Sequence, residues 1–253
     1  MPPQGQGGPA RRDAPDQWID EGPVRHEAER AVRRGGAPQP RRADPVDLDV
    51  GAAELGRAVG PGRQAKVESR LRDAARAFER ERFTDARRIL KPLAEMAPAS
   101  LAVRELYGLT LYRLGRWNEA AAELEVVREL GGTTEQHPVL ADCYRALRRY
   151  ADVDELWEEL RAASPSAELV TEGRIVAAGA LADRGRLDDA ITELGRGFRL
   201  PKRPQVHHLR RAYALADLHE RVGDLPHARG LFERVAAVDP DFADVTDRVR
   251  ALR

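Results

Sequence analysis

Lysine is nearly missing from this chain: Lys66, Lys91 and Lys202 stand alone among 42 cationic side chains, and arginine supplies the rest. With alanine and glycine also abundant, that skew reads as the codon bias of a GC-rich bacterial genome before it reads as function. The cations meet 42 Asp and Glu, so no bulk basic field draws the protein onto nucleic acid. A single cysteine, Cys143, excludes an internal disulfide, and within ADCYRAL it reads as a small buried apolar residue rather than a reactive thiol. Long apolar runs are also absent. The longest, from Ile175 to Ala182, is far short of the roughly 20 residues of a spanning helix. The N-terminal MPPQGQGGPARRD lacks the apolar stretch of a signal peptide, so no membrane association is expected and the expected compartment is the cytoplasm. What remains is a 253-residue chain, 42% hydrophobic, long enough to bury a sizeable core.

What the chain has in abundance is self-similarity. ERFTDARRIL begins at Glu81, GRWNEAAAEL at Gly115, RRYADVDELW at Arg148, GRLDDAITEL at Gly185 and GDLPHARGLF at Gly223. Aligned on Ala86, Ala120, Val153, Ala190 and Ala228, they are spaced 34, 33, 37 and 38 residues apart. A fixed period of this size signals a solenoid, whose units are each too small to bury their own apolar face. Each unit holds two helical patterns. In the second, Leu101, Leu106, Leu109, Tyr112 and Leu114 recur at helical spacing; the pattern breaks at Gly115 and resumes with Trp117, Ala120, Ala121, Leu124 and Val127. The break is too short for anything but an antiparallel pair. The small residue at the aligned position lets one helix approach its neighbour, and four residues on the same face carries Leu90, Leu124, Trp157, Leu194 and Phe232. Pro98, Pro165 and Pro240 follow twelve residues after the small position and end the second helix in three units.

This pattern resembles the tetratricopeptide repeat, with its large residue, Leu-Gly, Tyr, Ala, Phe and closing Pro at fixed offsets. Tyr107-Gly108, Leu111, Ala120 and Leu124 match it, as do Leu140-Ala141, Tyr144, Val153, Trp157 and Pro165, and Leu215-Ala216, Ala228, Phe232 and Pro240. The first unit is degenerate, with Asp73-Ala74 in place of Leu-Gly, and the fourth has Ala177-Ala178, Leu181, Ala190 and Leu194 but Lys202 at the closing position. The resemblance covers roughly residues 66 to 240. It implies an all-α, right-handed superhelical solenoid of about five antiparallel helix-turn-helix repeats, at about 67–100, 101–133, 134–168, 169–204 and 205–240. DFADVTDRVRAL supplies a capping helix within 241–253, with Phe242, Val245, Val249 and Leu252 on one face. The fourth unit's first helix can start at Ser164 or Ser166, and FRLPKRPQ after that unit reads as a proline-broken loop.

Residues 1 to 64 differ in kind. Eight of the 17 prolines fall in the first 45 residues, and the segment reads as a largely disordered extension. Within it, residues 18 to 34 form an amphipathic pattern led by Trp18 and Ile19, with Val24 on the apolar face and Asp20 as cap, and a second weak helix, VDLDVGAAELGRAV, leads into the first repeat. A lone short helix is marginal in water, so Trp18, Ile19 and Val24 are read as a docking segment, either for another protein or for the chain's own groove.

No catalytic frame is legible. His207-His208 with His219 is the best metal candidate, but no acidic or thiol ligand is placed beside them to complete a tetrahedral site, and they read as polar helix-surface histidines. The glycines of GQGGPA precede no strand, and Asp188-Asp189 and Glu158-Glu159 read as solvated pairs on second helices. The expectation is therefore a non-catalytic adaptor with no cofactor or metal. In tetratricopeptide arrays the first helices line a concave groove, and the resemblance places Leu71, Ala75 and Phe78, then Glu105, Leu109 and Tyr112, then Asp142 and Arg145, then Gly179 and Ala182 along it. The Lys and Asn clamp for acidic tails is not matched there. That surface suits an amphipathic helix or an extended apolar peptide. The alternative is an RNA- or ribonucleoprotein-associated factor using Arg11, Arg12, Arg33, Arg34, Arg41 and Arg42, weakened by ten acidic groups among the first 64 residues.

Overall fold

The structure is a computed structural model and describes residues 61–252. Residues 1–60 of the N-terminal extension, with its two helical patterns and its arginine pairs, lie outside the described residues, and 61–64 open the first helix. Eleven α-helices and no strand are found among those described. Five hairpins follow one another: α1 (Pro61–Glu79) with α2 (Phe83–Met96), α3 (Leu101–Arg113) with α4 (Trp117–Gly131), α5 (His137–Ala146) with α6 (Tyr150–Ala163), α7 (Ala167–Asp183) with α8 (Leu187–Gly195), and α9 (Val206–Arg221) with α10 (Leu225–Ala236). A short α11 (Val245–Ala251) closes the stack. Each hairpin packs on the next, which makes the molecule a helical solenoid.

Why the chain reverses at the same place five times is visible in the backbone. Three residues separate the two helices of every hairpin, and the middle one is always left-handed: Glu81 at φ 58°, Gly115 at 70°, Arg148 at 58°, Gly185 at 76° and Gly223 at 83°. The next residue then donates its N–H to the carbonyl five residues back. Arg82 reaches Ala77 at 2.8 Å, Arg116 reaches Leu111 at 3.0 Å, Arg149 reaches Tyr144 at 2.8 Å, Arg186 reaches Leu181 at 2.9 Å and Asp224 reaches His219 at 2.8 Å. This is the Schellman closure, which satisfies carbonyls that the end of a helix would leave orphaned.

The donor in that bond is also the cap of the second helix. In four hairpins it is arginine with a carboxylate three residues on: Arg116 Nε lies 2.5 Å from Glu119 Oε1, Arg149 bonds Asp152 at 2.9 and 3.0 Å, Arg186 Nε lies 2.7 Å from Asp189 Oδ2, and Arg82 sits 3.9 Å from Asp85. The Arg149 hydrogen bond holds the Asp152 carboxyl below its usual range. Carboxylates in a first turn also face the positive end of the helix dipole. Exposed pairs of this kind each contribute under about 1 kcal/mol; what they fix is where the helix starts.

Packing explains the repeat spacing. Ala86, Ala120, Val153, Ala190 and Ala228 are all fully buried, and so are the large residues one turn later, with Trp157 the most exposed of them at 7%. Opposite them the first helices also carry small buried residues: Ala74, Gly108, Ala141, Ala178 and Ala216. Gly108 shows what the small side chain permits. A methyl group placed there would fall 2.8 Å from Leu124 Cγ, so Leu124 can seat only against bare backbone. Burying a side chain such as Leu124 or Phe232 stabilises the fold by about 1.5–3 kcal/mol. At the C-terminal end, Phe242 and Val245 cover the fifth hairpin, and the Tyr213 ring meets Phe232 edge-on at 5.3 Å while its hydroxyl donates to Asp244.

Local signals resolve two open points. Ser164, at φ 43°, ends α6, and Ser166 caps α7 by accepting from the Leu169 N–H at 3.1 Å, so the fourth unit's long first helix starts after Ser166. FRLPKRPQ forms the expected loop between α8 and α9, anchored by Arg211, whose guanidinium lies over the Phe198 ring at 5.4 Å and whose Nη2 donates to the Arg196 carbonyl at 2.6 Å. Pro92 stands inside α2, a position the sequence pattern did not signal.

Of the five left-handed positions, Arg148 is exposed and carries a Cβ where glycine is free of strain. Arg148→Gly is expected to stabilise the solenoid by about 0.5–1 kcal/mol, after allowing for glycine's larger entropy loss. A urea titration should show a raised midpoint with an unchanged slope.

Candidate functional site

The expected groove residues fall into two groups. Leu71 and Ala75 are buried in the core between α1 and its neighbours, at 1% and 7% exposure, and Ala182 is likewise buried. In this conformation they offer no surface to a partner. The physical reason is helix rotation: Leu71, Ala75 and Ala182 lie on helix faces turned into the core, whereas Phe78, on the same helix as Leu71, lies at the edge of that face. Phe78, Leu109 and Tyr112 are half-buried: each packs on the core with one side and keeps the other open. Phe78 meets Phe83 edge-on at 5.3 Å, and Tyr112 meets Trp117 in the same way at 5.3 Å.

The polar members are drawn together into a strap running across successive first helices. The Tyr112 hydroxyl on α3 donates to Asp142 Oδ2 on α5 at 2.7 Å. Asp142 Oδ1 lies 3.5 Å from Arg145 Nη1, and Arg145 Nε donates to Asp183 Oδ2 at the end of α7 at 2.7 Å. Arg145 is only 5% exposed. Gly179 makes this burial possible, since a methyl group on it would lie 2.6 Å from Arg145 Nη1 and 2.7 Å from Cζ. Glu105 is held separately: Gln136 donates to it at 2.5 Å, while burial pushes its carboxyl up. Further along, Arg210 on α9 pairs with Glu172 on α7 at 2.6 Å, and Arg248 of the cap pairs with Asp217 at 3.1 Å and Glu220 at 2.8 Å on α9. Burial raises the Asp217 carboxyl, opposed by Arg248.

A second arrangement joins α4, α5 and α6. Arg128 bonds Glu155 at 2.8 Å and Glu159 at 2.5 Å, and Glu159 also meets buried His137 at 2.8 Å. Glu159 is therefore not the freely solvated half of a surface pair; it ties two hairpins together. Glu158, Asp188 and Asp189 are exposed, as their spacing predicts.

The histidines depart from the sequence expectation. His207 is not on the surface but 6% exposed, its ring 3.9 Å from that of His208, and His208 Nδ1 accepts the Gln205 N–H at 3.1 Å as half of a capping box. His219 meets neither of them. It faces Asp224 and His227 across the last turn, so an acidic group is placed beside it after all. The sequence signal for this was present, in His219, Asp224 and His227 spaced five and three apart, but it requires knowing that the chain reverses at Gly223. Cys143 is fully buried, and burial pushes its thiol up, which keeps it protonated and inert. No helix among the described residues is long and apolar enough to cross a membrane. The docking segment of Trp18, Ile19 and Val24 and the arginines of the RNA reading lie outside the described residues.

The tetratricopeptide repeat profile matches residues 77–143, from the end of α1 to α5. A thermophilic TPR protein from Thermus thermophilus superposes with a TM-score of 0.56 at 18% identity, over 74% of this chain and 98% of its own. The nearly identical TPR-like repeats of a candidate kinesin light chain from Podosopora anserina superpose with a TM-score of 0.54 at 19% identity, over 68% of this chain and 94% of theirs. No curated protein matches the sequence.

Two glycines in helix interiors separate packing from propensity. Gly179→Ala gains up to about 1 kcal/mol of helix propensity but must expel the Arg145 guanidinium from a buried pair, for a net loss of about 1–3 kcal/mol. Gly230→Ala on α10 meets nothing within 4 Å and should stabilise by about 0.5–1 kcal/mol. Urea midpoints moving in opposite directions check both. A third expectation concerns acid. Burial, and then its neighbour His208, lower His207 from 6.5 to about 4. As pH falls below 6.5 the unfolded chain takes up this proton first, while the folded form takes it only near 4. Stability is thus present above 6.5 and falls by on the order of 1–3 kcal/mol through that window. In His207→Leu the slope between pH 6.5 and 5 should flatten, as read by urea titrations across pH.

Proposed function

We propose that the chain is a non-catalytic scaffold binding a peptide or protein segment along its first helices, since the tetratricopeptide repeats it resembles, matched over residues 77–143, generally mediate protein–protein interaction. The observation that carries this reading is the row of half-buried apolar side chains, Phe78, Leu109 and Tyr112, set beside the carboxylates of Glu105 and Asp142. Half-buried rings held edge-on by Phe83 and Trp117 are rigid anchors that lose little entropy when covered. The flanking carboxylates favour a segment that presents apolar side chains together with a cation, and disfavour an acidic tail. The strap from Tyr112 to Asp183 supports the reading in another way: it fixes the spacing of α3, α5 and α7, so that a partner meets a preformed surface. We place the protein in an aqueous compartment, the cytoplasm.

Affinity capture with the full chain, compared with Phe78→Ala/Tyr112→Ala and with an unrelated surface variant, Glu158→Ala, tests the reading. Captured partners should lose at least tenfold in affinity for the double variant, with circular dichroism unchanged, and should bind Glu158→Ala normally. Equal binding by all three would overturn it.

A further inference from the structure

The fifth hairpin breaks the rule of the other four at three positions, and the three departures meet in space. Where Arg82, Arg116, Arg149 and Arg186 cap the second helix, the fifth hairpin has Asp224; where Asp85, Glu119, Asp152 and Asp189 answer that arginine, it has His227. The residue whose carbonyl closes the turn is Ala77, Leu111, Tyr144 and Leu181 in the first four hairpins, and His219 in the fifth. An apolar or aromatic position has become an imidazole, and an arginine–carboxylate pair has become a carboxylate–imidazole pair of opposite sense.

The ligand atoms converge on one carboxylate, with His227 Nδ1 between its two oxygens, 2.8 Å from Oδ1 and 2.7 Å from Oδ2. Asp224 Oδ2 lies 3.0 Å from His219 Nδ1 and 2.7 Å from His227 Nδ1, and one ligand atom from each of the three residues falls within 4.8 Å of the others. Oδ1 also serves the helix cap, accepting from the His227 N–H at 3.4 Å. The two rings lie at 24° to each other with centroids 5.3 Å apart. Around a tetrahedral zinc ion, bonds of 2.0–2.2 Å place neighbouring ligand atoms roughly 3.3 Å apart. The two imidazole–carboxylate distances therefore need to open by about 0.3–0.6 Å, while the two imidazole nitrogens, within 4.8 Å of each other, settle to the same spacing as the ion enters. The scaffold beneath them is rigid: the Asp224 N–H bonds the His219 carbonyl at 2.8 Å, and the Gly223 N–H bonds that of Glu220 at 2.9 Å.

We propose that His219, Asp224 and His227 form a binding site for one borderline divalent cation of the Zn2+ class. Two imidazoles and one carboxylate suit Zn2+ and its first-row neighbours, and they suit neither Mg2+ nor Ca2+, which require oxygen ligands. Both imidazoles bind as neutral ligands through Nδ1, and each gives up its hydrogen bond to Asp224 when the ion enters. His227 is exposed on its side chain to 74%, so ions have free access, and at least one coordination position faces solvent for water or a donor from another molecule. The site stands independently of the scaffold reading. Its consequence for the fold is that an ion links the end of α9 to the start of α10.

The full chain, stripped with a chelator, is titrated with ZnCl2 by calorimetry, and with Co2+ while the visible spectrum is followed. One equivalent of Zn2+ should bind with a Kd on the order of 10 µM or tighter, and Co2+ should develop the intense visible bands of a low-symmetry, four-coordinate ion. His219→Gln and His227→Gln should each raise the Kd at least tenfold, with helicity unchanged. His208→Gln should leave it unaltered, and Mg2+ should not compete. No zinc binding, or zinc binding that survives both His219→Gln and His227→Gln, would overturn the proposal.

Discussion

No hairpin in this chain can hide its own apolar surface, and every other feature follows from that. Two helices of nine to nineteen residues present one face to each other and another to the next pair. They come close only where a side chain is small. Gly108 under Leu124 is the tightest expression of this among the motif positions, and the buried Ala86, Ala120, Val153, Ala190 and Ala228 repeat it along the stack. Once the hairpins are that close, groups on consecutive first helices are brought within hydrogen-bond distance, which is how Tyr112, Asp142, Arg145 and Asp183 become one strap although they span 71 residues of sequence. Cooperativity in such a stack belongs to neighbours rather than to the whole.

Arginine's dominance over lysine acquires a structural use here. A planar guanidinium can bond two carboxylates at once through different nitrogens, as Arg145 does with Asp142 through Nη1 and with Asp183 through Nε, and Arg248 joins three acidic groups, Asp217 and Glu220 on α9 and Asp244 just ahead of α11. An ammonium lacks that geometry. Whatever set the composition, the fold relies on the fork, and removing one arm would leave a partly buried carboxylate without its cation.

The period and phase were legible because they depend on residue size, which is written directly in the sequence: a small residue, a large one a turn later, a proline after the second helix. The hairpin turns were half legible. Gly115, Gly185 and Gly223 announce a left-handed residue, whereas Glu81 and Arg148 adopt the same φ without glycine, and only the common register reveals it. The first-helix face was the least legible part. Leu71 and Ala75 share the helical spacing of Phe78, and whether such a residue faces the core or the groove depends on a rotation of tens of degrees that spacing does not encode. Asp183 as the partner of Arg145 and Glu159 as that of Arg128 were hidden for a related reason, since they lie 38 and 31 residues away and are chosen by the stacking of hairpins. The convergence of His219 with His227 failed to show because the intervening Gly223 turns the chain back on itself.

Native-state hydrogen exchange of the full chain tests nearest-neighbour stacking most directly. Ala86→Asp, which places a charge at the fully buried junction of the first hairpin, should abolish protection in α1 and α2, weaken it in α3 and α4, and leave α9 and α10 unchanged. A loss of protection by the same free energy in all eleven helices would contradict the account.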